Sequence, residues 1–367
     1  MSILKLNIEA GKTLLISGPA LIKLIEGKCE ILGAPLNFNV LIRKYKQLPI
    51  TALQPSELEI NLGEGASINE INHDAIPDSW NSIIQKILNE KKVIVIGGVD
   101  SGKNAFCTLL VNKFLKVNNQ VVIIDVDVGQ TEIGPPTTIG LGLIEQPIFC
   151  FSNISTKLLF FTGHITPSKV KDKIVFGLKK MFQHHFTFNN PIIINTDGWI
   201  LGDEAKQYKL ELINLISPSL VIGLGEESVL KPIFEEAFKP YIILEPSQLV
   251  RKRTQEERRA LREDSYRNYL RSGKIITLPI TQIKVRFFNE QKYECNTLLG
   301  LLSEDEWLIG LGIFKELKGK LMKIYTPIKK EEIKIVEFSE MKINEEGKEL
   351  NITKSIKDKI EFKRSFC

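Results

Sequence analysis

The sequence has little cysteine and less histidine. Its five cysteines, Cys29, Cys107, Cys150, Cys295 and Cys367, include no CxxC pair, which argues against both a disulfide framework and a zinc site. The four histidines, His73, His164, His184 and His185, show no metal-ligand spacing. No basic patch followed by an apolar core opens the chain, and no apolar run approaches the roughly 18 residues that span a bilayer. No membrane partner and a cytoplasmic setting are therefore expected. An excess of one charge is also nearly absent: 49 Lys and Arg against 44 Asp and Glu leave +5 over 367 residues, too little by itself to mark a polyanion binder. What remains is an ordinary globular composition, 43% hydrophobic and 25% charged, long enough for two or three domains.

Turn signals divide the chain. Up to about residue 70, short apolar runs alternate with Gly11, Ser17-Gly18-Pro19, Glu26-Gly27-Lys28 and Gly33-Ala34-Pro35, a rhythm that predicts a small N-terminal β-sandwich domain over 1–77. A helix capped by Asp78 or Ser79, with Ile83, Ile84, Ile87 and Leu88 on one face, opens the next region. The runs 93–96, 121–124, 192–194, 220–222 and 241–244 are apolar on both faces, as buried parallel strands are. Helix-compatible sequence between them predicts an α/β, doubly wound, mainly parallel sheet within 78–274. Short strands return after Lys274, so 275–367 is expected to be a mostly β domain. The expected class is α/β, a central phosphate-loop domain flanked by small N- and C-terminal β-domains.

Directly after the run 93–96 stand Gly97, Gly98, Val99, Asp100, Ser101, Gly102, Lys103 and Asn104, then Phe106, Leu110 and Phe114 four apart on a helix face. Strand, glycine loop and helix are the context of a phosphate loop. The glycines let successive amides turn toward phosphate oxygens, the helix N-terminus adds partial positive charge, and Lys103 reaches the β and γ phosphates. The GxxxxGK[ST] pattern ends in a hydroxyl that ligates Mg²⁺, and Asn104 stands there instead. Its amide oxygen is a hard ligand but sits farther from the backbone than a serine hydroxyl.

The run 121–124 leads into Asp125, Val126, Asp127, Val128, Gly129 and Gln130, at the carboxyl edge where ligands bind in open α/β sheets. Asp125 and Asp127 share a face by the period of two. One would hold a metal through water and the other would take a proton from an attacking hydroxyl; the plainer alternative is that one of them caps the turn.

Residues 251–274 hold nine basic and four acidic side chains, a net +5 equal to that of the whole chain. Arg258 and Arg262, four apart, share a helical face suited to closing over a triphosphate, with a solvated basic helix as the alternative. Trp199, in Asn195-Thr196-Asp197-Gly198-Trp199, follows the run 192–194 and offers a platform for a nucleobase, or a core side chain. Trp80 and Trp307 read as packing residues.

Together these residues resemble the polynucleotide 5′-hydroxyl kinase family, which includes the RNA kinases of tRNA splicing, mRNA 3′-end formation and ribosomal RNA processing. The likeness is carried in order by Asp100-Ser101-Gly102-Lys103, by Asp125 to Gln130 as a DxDxGQ element, and by Gly163-His164-Ile165-Thr166-Pro167-Ser168, similar to the family's clasp. The Asn195 to Trp199 element and the lid pattern of Arg258, Arg262 and Tyr266 complete it. Compact flanking regions resemble the archaeal forms. The resemblance implies that Gly97, Gly98, Asp100, Ser101, Gly102, Lys103 and Asn104 hold ATP, the phosphate donor, and that Lys103 clamps its phosphates. It implies Mg²⁺ or Mn²⁺ at Asn104, Asp125 and Gln130, Asp127 as general base, Thr166 and Trp199 on the substrate, and Arg258 with Arg262 as the lid. Single-stranded RNA, or DNA, would be the acceptor, and protein partners in RNA processing are implied. Family members have Ser or Thr where Asn104 stands.

Two readings follow: an ATP-dependent polynucleotide 5′-hydroxyl kinase, or a catalytically impaired nucleotide-binding scaffold in an RNA-processing complex, marked by Asn104. A GTPase switch is disfavoured, because Glu245-Pro246-Ser247 stands where a guanine-reading Asn-Lys-x-Asp would follow the last strand.

Overall fold

The computed structural model describes residues 2–187, 189–288 and 293–350; Cys367 lies outside them. The chain divides into two units, 1–127 with 141–157 and 178–257, and 128–140 with 158–177 and the residues from 258 on. Among the described residues, three sheets carry the strands. The first joins β1 (Ser2–Ile8), β2 (Thr13–Ser17), β3 (Ala20–Ile31), β4 (Ala34–Pro35), β5 (Val40–Ile42), β6 (Gln47–Leu62) and β7 (Ser67–Ile71). Its pairs are antiparallel, and the long β6 pairs β2 along its first half and β1 along its second. In β3, Ala20 and Ile22 point inward while Leu21 and Lys23 face solvent, the alternation of a sheet wetted on one side.

The central sheet consists of β8 (Lys92–Gly97), β9 (Val121–Asp125), β10 (Thr138–Ile144), β11 (Thr156–Phe161), β12 (Ile192–Asn195), β13 (Leu220–Leu224) and β14 (Tyr241–Leu244). Their order is β11-β10-β9-β12-β8-β13-β14. The five apolar runs expected as strands are β8, β9, β12, β13 and β14, all in parallel register. Helices α1 (Asp78–Ile87), α2 (Lys103–Phe114), α3 (Pro167–Phe182), α4 (Asp203–Ile216), α5 (Glu227–Ala237) and α6 (Gln255–Leu270) alternate with these strands or follow them. The class is α/β with β-rich flanks, as expected.

Two features differ from the sequence expectation. Strands β10 and β11 were not apparent in the pattern; in β10, Gly140 and Gly142 interrupt the apolar run. A Cβ on Gly140 would lie 1.9 Å from Ile133 O and one on Gly142 2.3 Å from Ile154 Cγ2, so neighbouring chain fills the space that side chains would take. Helix α1 begins at Asp78 after Pro77, without a side-chain cap; the Ser79 hydroxyl donates to Glu245 Oε1 instead.

The third sheet joins β15 (Lys274–Pro279), β16 (Lys284–Arg286), β17 (Thr297–Leu302), β18 (Leu308–Lys318), β19 (Leu321–Thr326) and β20 (Ile335–Lys342), ordered β15-β19-β18-β17-β20-β16. Alternate residues of β17 feed two separate cores, Leu298 and Leu302 one, Leu299 and Leu301 the other. Glycine at 300 lets the Phe161 ring approach to 2.5 Å of where a Cβ would stand.

Strand order is what positions the site. Because β12 lies between β8 and β9, Asn195 at its end is in register with both Val95 and Asp125. Helix α2 is buried nearly all round, with Phe106, Cys107, Leu110 and Phe114 inside. Trp80 of α1 meets the Phe106 ring edge-on at 4.9 Å and donates its indole N–H to Glu245 O at 3.0 Å, so it is the packing residue expected. Trp80→Ala should lower the unfolding free energy by about 3–5 kcal/mol in equilibrium urea denaturation; a loss below about 1 kcal/mol would show that α1 is not part of this core.

Candidate active site

The phosphate loop turns back where a side chain cannot fit. A Cβ on Gly97 would stand 2.4 Å from Leu224 O and 2.7 Å from Ser101 Oγ. Asp100 (φ +56°) and Gly102 (φ +93°) take left-handed backbone, which lets neighbouring amides converge. The Lys103 ammonium closes the loop by donating to Gly97 O at 2.9 Å and Gly98 O at 2.7 Å. Burial pulls the Lys103 pKa down; the charge of Asp127 works against that shift, and Lys209 adds to it. The Ser101 hydroxyl is buried with no hydrogen-bond partner among the described residues. Gly98 has only Ile200 near its missing Cβ, at 3.6 Å, and the Asp100 carboxylate accepts the Arg253 backbone N–H at 3.4 Å.

Asn104, in the first turn of α2, belongs to a buried amide and carboxylate cluster. The Asn195 amide nitrogen donates to Asp125 Oδ1 at 2.9 Å and to Asn104 Oδ1 at 3.2 Å. The orientation follows from chemistry: a carboxylate only accepts, so nitrogen must face it. The amide oxygen of Asn195 is left toward Cys107 Sγ at 4.0 Å. Burial, with the charge of Asp125 adding to it, holds the Cys107 thiol well above its ordinary pKa, so it stays an S–H donor. Asp125 Oδ1 also accepts the Asp127 N–H at 3.2 Å. Asp125 and Asn195 are fully buried, while Asp127, two residues past the end of β9, is half-buried. Asn104 Oδ1 and the Asp125 carboxylate are hard oxygen donors held by one amide, so the residues present fit an ion such as Mg²⁺. Among the described residues, no three His, Cys, Asp or Glu side chains cluster to hold a metal by themselves.

Trp199 stands on a buried ionic base. The Asp197 carboxylate accepts the Trp199 N–H at 2.9 Å, the Tyr208 hydroxyl at 3.1 Å and the Lys209 ammonium at 2.9 Å. Both Lys209 and Asp197 are buried, at 0% and 1% exposure. The Tyr208 ring stacks on Trp199, centroids 5.6 Å apart and planes at 25°, and the indole itself is half-buried. Gly198 lets this loop abut the phosphate loop, since a Cβ there would lie 2.8 Å from the Val99 nitrogen.

The remaining expected residues belong to the second unit. Gln130 sits in the turn after Val128 and donates to Gly129 O at 2.9 Å. Thr166 is exposed immediately before α3, with Pro167 in the first helical position, where its missing N–H matters least. The Thr166 N–H donates to His164 Nδ1 at 2.9 Å; His164 Nε2 lies 3.9 Å from Glu340 Oε2, which also pairs with Lys169 at 3.2 Å. Arg258 and Arg262 lie on α6, both half-buried, with Tyr266 fully buried a turn further on. Arg262 forms a two-pronged pair with Glu349, at 2.5 and 2.9 Å. Burial works to lower the Arg262 pKa, but the bonds and charge of Glu349 carry it upward overall.

Three functional partners escaped the sequence reading. Lys209 had a signal: on α4 it occupies the stripe of Ala205, Tyr208, Leu212, Ile213 and Ile216 that is otherwise buried and mostly apolar, where a lysine is tolerated only with a counter-ion. Asn195 was noted in its motif, but its role depends on strand register. Glu349 is 87 residues from Arg262, and no local pattern links them.

Two measurements check this geometry. Lys209→Met leaves Asp197 as an unpaired buried charge and should cost about 3–5 kcal/mol in urea unfolding, most of it recovered when Asp197→Asn is added; an unchanged single variant would refute the ionic base. His164 accepts a hydrogen bond at Nδ1, so its ring is neutral. Burial, then Lys169, lower its pKa against the opposing charge of Glu340. The folded ring is harder to protonate than the unfolded one, so its contribution to stability is full above 6.5 and is lost as pH falls from 6.5 through the folded value. Its NMR titration should have a midpoint below 6.5, with Thr166 amide protection falling in the same window; a midpoint above 6.5 would contradict the assignment.

Residues 97–272 match the family described as mRNA cleavage and polyadenylation factor CLP1 P-loop. The polyribonucleotide 5′-hydroxyl-kinase of Pyrococcus furiosus is 26% identical, the match covering 76% of this chain and 95% of that one. The protein of the same description from Methanocaldococcus jannaschii is 26% identical over 71% of this chain and 89% of its own. Polyribonucleotide 5′-hydroxyl-kinase Clp1 of Danio rerio is 23% identical over 72% of this chain and 64% of its own. The solved structure of Clp1p in complex with Pcf11p superposes with a TM-score of 0.73 at 14% identity, covering 93% of this chain and 98% of that one, a likeness of fold. Its glycine loop and DxDxGQ element stand at the carboxyl edge of a parallel sheet, and over most of its length the chain is similar to polyribonucleotide 5′-hydroxyl-kinases, archaeal ones among them.

Proposed function

We propose that the protein is an ATP-dependent polynucleotide 5′-hydroxyl kinase that moves the γ-phosphoryl group of ATP to the 5′-hydroxyl of single-stranded RNA, and of DNA where the 2′-hydroxyl is not read, in RNA processing. The observation that carries this reading is the Lys103 ammonium seated in a glycine loop, with the charge of Asp127 close enough to act on it. Gly97, Gly98, Asp100, Ser101, Gly102 and Lys103 would cradle the triphosphate. Lys103 would exchange its two carbonyl partners for phosphate oxygens, and the unanswered Ser101 hydroxyl would gain an acceptor. Asn104, Asp125 and Gln130 would hold Mg²⁺ or Mn²⁺, which when bound neutralises charge on the phosphates.

Asp127 would accept the proton of the attacking 5′-hydroxyl. Trp199, stacked from one side by Tyr208, would carry the terminal base, a contact worth about 1–3 kcal/mol. Thr166 would grip the acceptor strand. Arg258 and Arg262 would supply positive charge as the γ-phosphoryl moves, Arg262 trading its carboxylate for phosphate. The reading extends to three domains, 1–77, 78–274 and 275–367, to a cytoplasmic setting and to protein partners in RNA processing. Among the described residues, no helix is long and apolar enough to cross a membrane.

The scaffold reading has one observation in its favour, the amide of Asn104 in place of a hydroxyl. Transfer of labelled phosphate from ATP to a 5′-hydroxyl oligoribonucleotide separates the two. Wild type should transfer, Lys103→Ala should abolish transfer, and Asp127→Asn should lower kcat by about 10²–10⁴-fold. If wild type and Asn104→Ser both bind nucleotide yet leave the oligonucleotide unlabelled, the kinase reading falls and the scaffold stands.

A further inference from the structure

We propose that Asn195 is a positioning residue that makes Asn104 serviceable as an oxygen ligand, a role that rests on the kinase reading of this same site. An asparagine beside a buried carboxylate has two ways to turn its amide, and electrostatics favours the NH₂ end toward the carboxylate. That orientation would present donors to a cation. In this chain the place next to Asp125 Oδ1 is taken by the Asn195 nitrogen at 2.9 Å, and the second proton of the same nitrogen is given to Asn104 Oδ1 at 3.2 Å. The Asn104 oxygen is thereby turned toward the same donor that holds the acid.

Asn195 itself has no alternative orientation. Its oxygen faces the Cys107 thiol, its nitrogen faces a carboxylate, and it is fully buried at the end of the strand between β8 and β9. A serine at 104 would need no such orientation, because a hydroxyl oxygen presents lone pairs in any rotamer. Position 195 and position 104 are therefore coupled, and Asn195 acts through Asn104 and Asp125 without itself touching the reacting atoms.

The test titrates Mn²⁺ into the full chain with ADP, reading bound metal by electron paramagnetic resonance, for wild type, Asn195→Ala, Asn104→Ser and the double variant. Asn195→Ala should weaken Mn²⁺ binding at least tenfold, as loss of an outer partner does, while ADP affinity without metal changes less than twofold. In the Asn104→Ser background the same substitution should cost at least threefold less than in wild type, the remaining loss passing through Asp125. Equal losses in both backgrounds, a loss confined to the melting temperature with Mn²⁺ affinity kept, or no Mn²⁺ uptake by wild type would each overturn the proposal. Should Asn195→Ala not fold, Asn195→Ser, which keeps one donor, should weaken Mn²⁺ binding by an intermediate factor, and an unchanged affinity would again overturn it. Metal uptake with the coupling intact but no phosphate transfer would sink the kinase reading alone.

Discussion

One buried amide at the end of β12 holds the carboxyl edge of the central sheet together. The strand order places Asn195 next to the phosphate-loop strand on one side and the acid-bearing strand on the other. Asp125 is fully buried, and a carboxylate out of water without donors would be strongly destabilising. The Asn195 amide and the Asp127 backbone are among its donors. The same requirement that keeps Asp125 hydrogen-bonded draws α2 in through Asn104, so the start of the helix and the end of β9 are tied by polar bonds as well as by packing. An apolar residue at 195 would suit the strand's hydrophobic neighbours and take one donor from each of these groups.

Charge around the loop is arranged in a second layer. Lys103 and Lys209 act on each other unfavourably, and Asp127 and Asp197 offset this. Asp197 is bonded to Lys209 and Tyr208 within the protein, so its charge is largely committed to the platform under Trp199. The desolvated Lys103 therefore gains most from an added anion. A phosphate lodged in the loop would answer both its burial and the repulsion from Lys209, which gives anion binding a driving force built into the fold. The stacking platform and the phosphate loop share this arrangement, because the loop bearing Asp197 presses its Gly198 against Val99.

How much of this was legible in the sequence depends on whether the signal was local. The five parallel strands appeared as short runs apolar on both faces, and the phosphate loop as glycines between a strand and a helix, because burial and turn geometry act on neighbouring residues. Strand β10 was missed for the opposite reason: Gly140 and Gly142 answer to Ile133 and Ile154 rather than to any period along the chain. At the site, Lys103, Asp125, Asp127 and Trp199 could be picked out singly. The bond from Asn195 to Asn104 could not, because it depends on which strand lies between which, and that follows only from the assembled sheet. Lys209 was the readable exception, a lysine on a buried helical stripe that demanded a counter-ion.

In the basic segment, pairing places the charges without removing them: one acid from outside, Glu349, lowers the formal sum, from +5 to +4. Residues 251–274 carry a net +5, which as a formal sum looks like an electrostatic footprint for a polyanion. In the structure Arg251 pairs with Glu257, Arg259 with Glu263, Arg262 with Glu349 and Arg267 with Asp264, and one of these acids comes from outside the segment. Helix α6 also uses Glu257 in a reciprocal cap with Thr254, at 3.0 and 3.2 Å. A guanidinium already holding a carboxylate attracts a distant phosphate much less than its formal charge suggests, since the pair presents a dipole and ionic screening reaches only about 8–10 Å. Such an arginine acts on an anion at contact, by exchange of one oxygen acid for another.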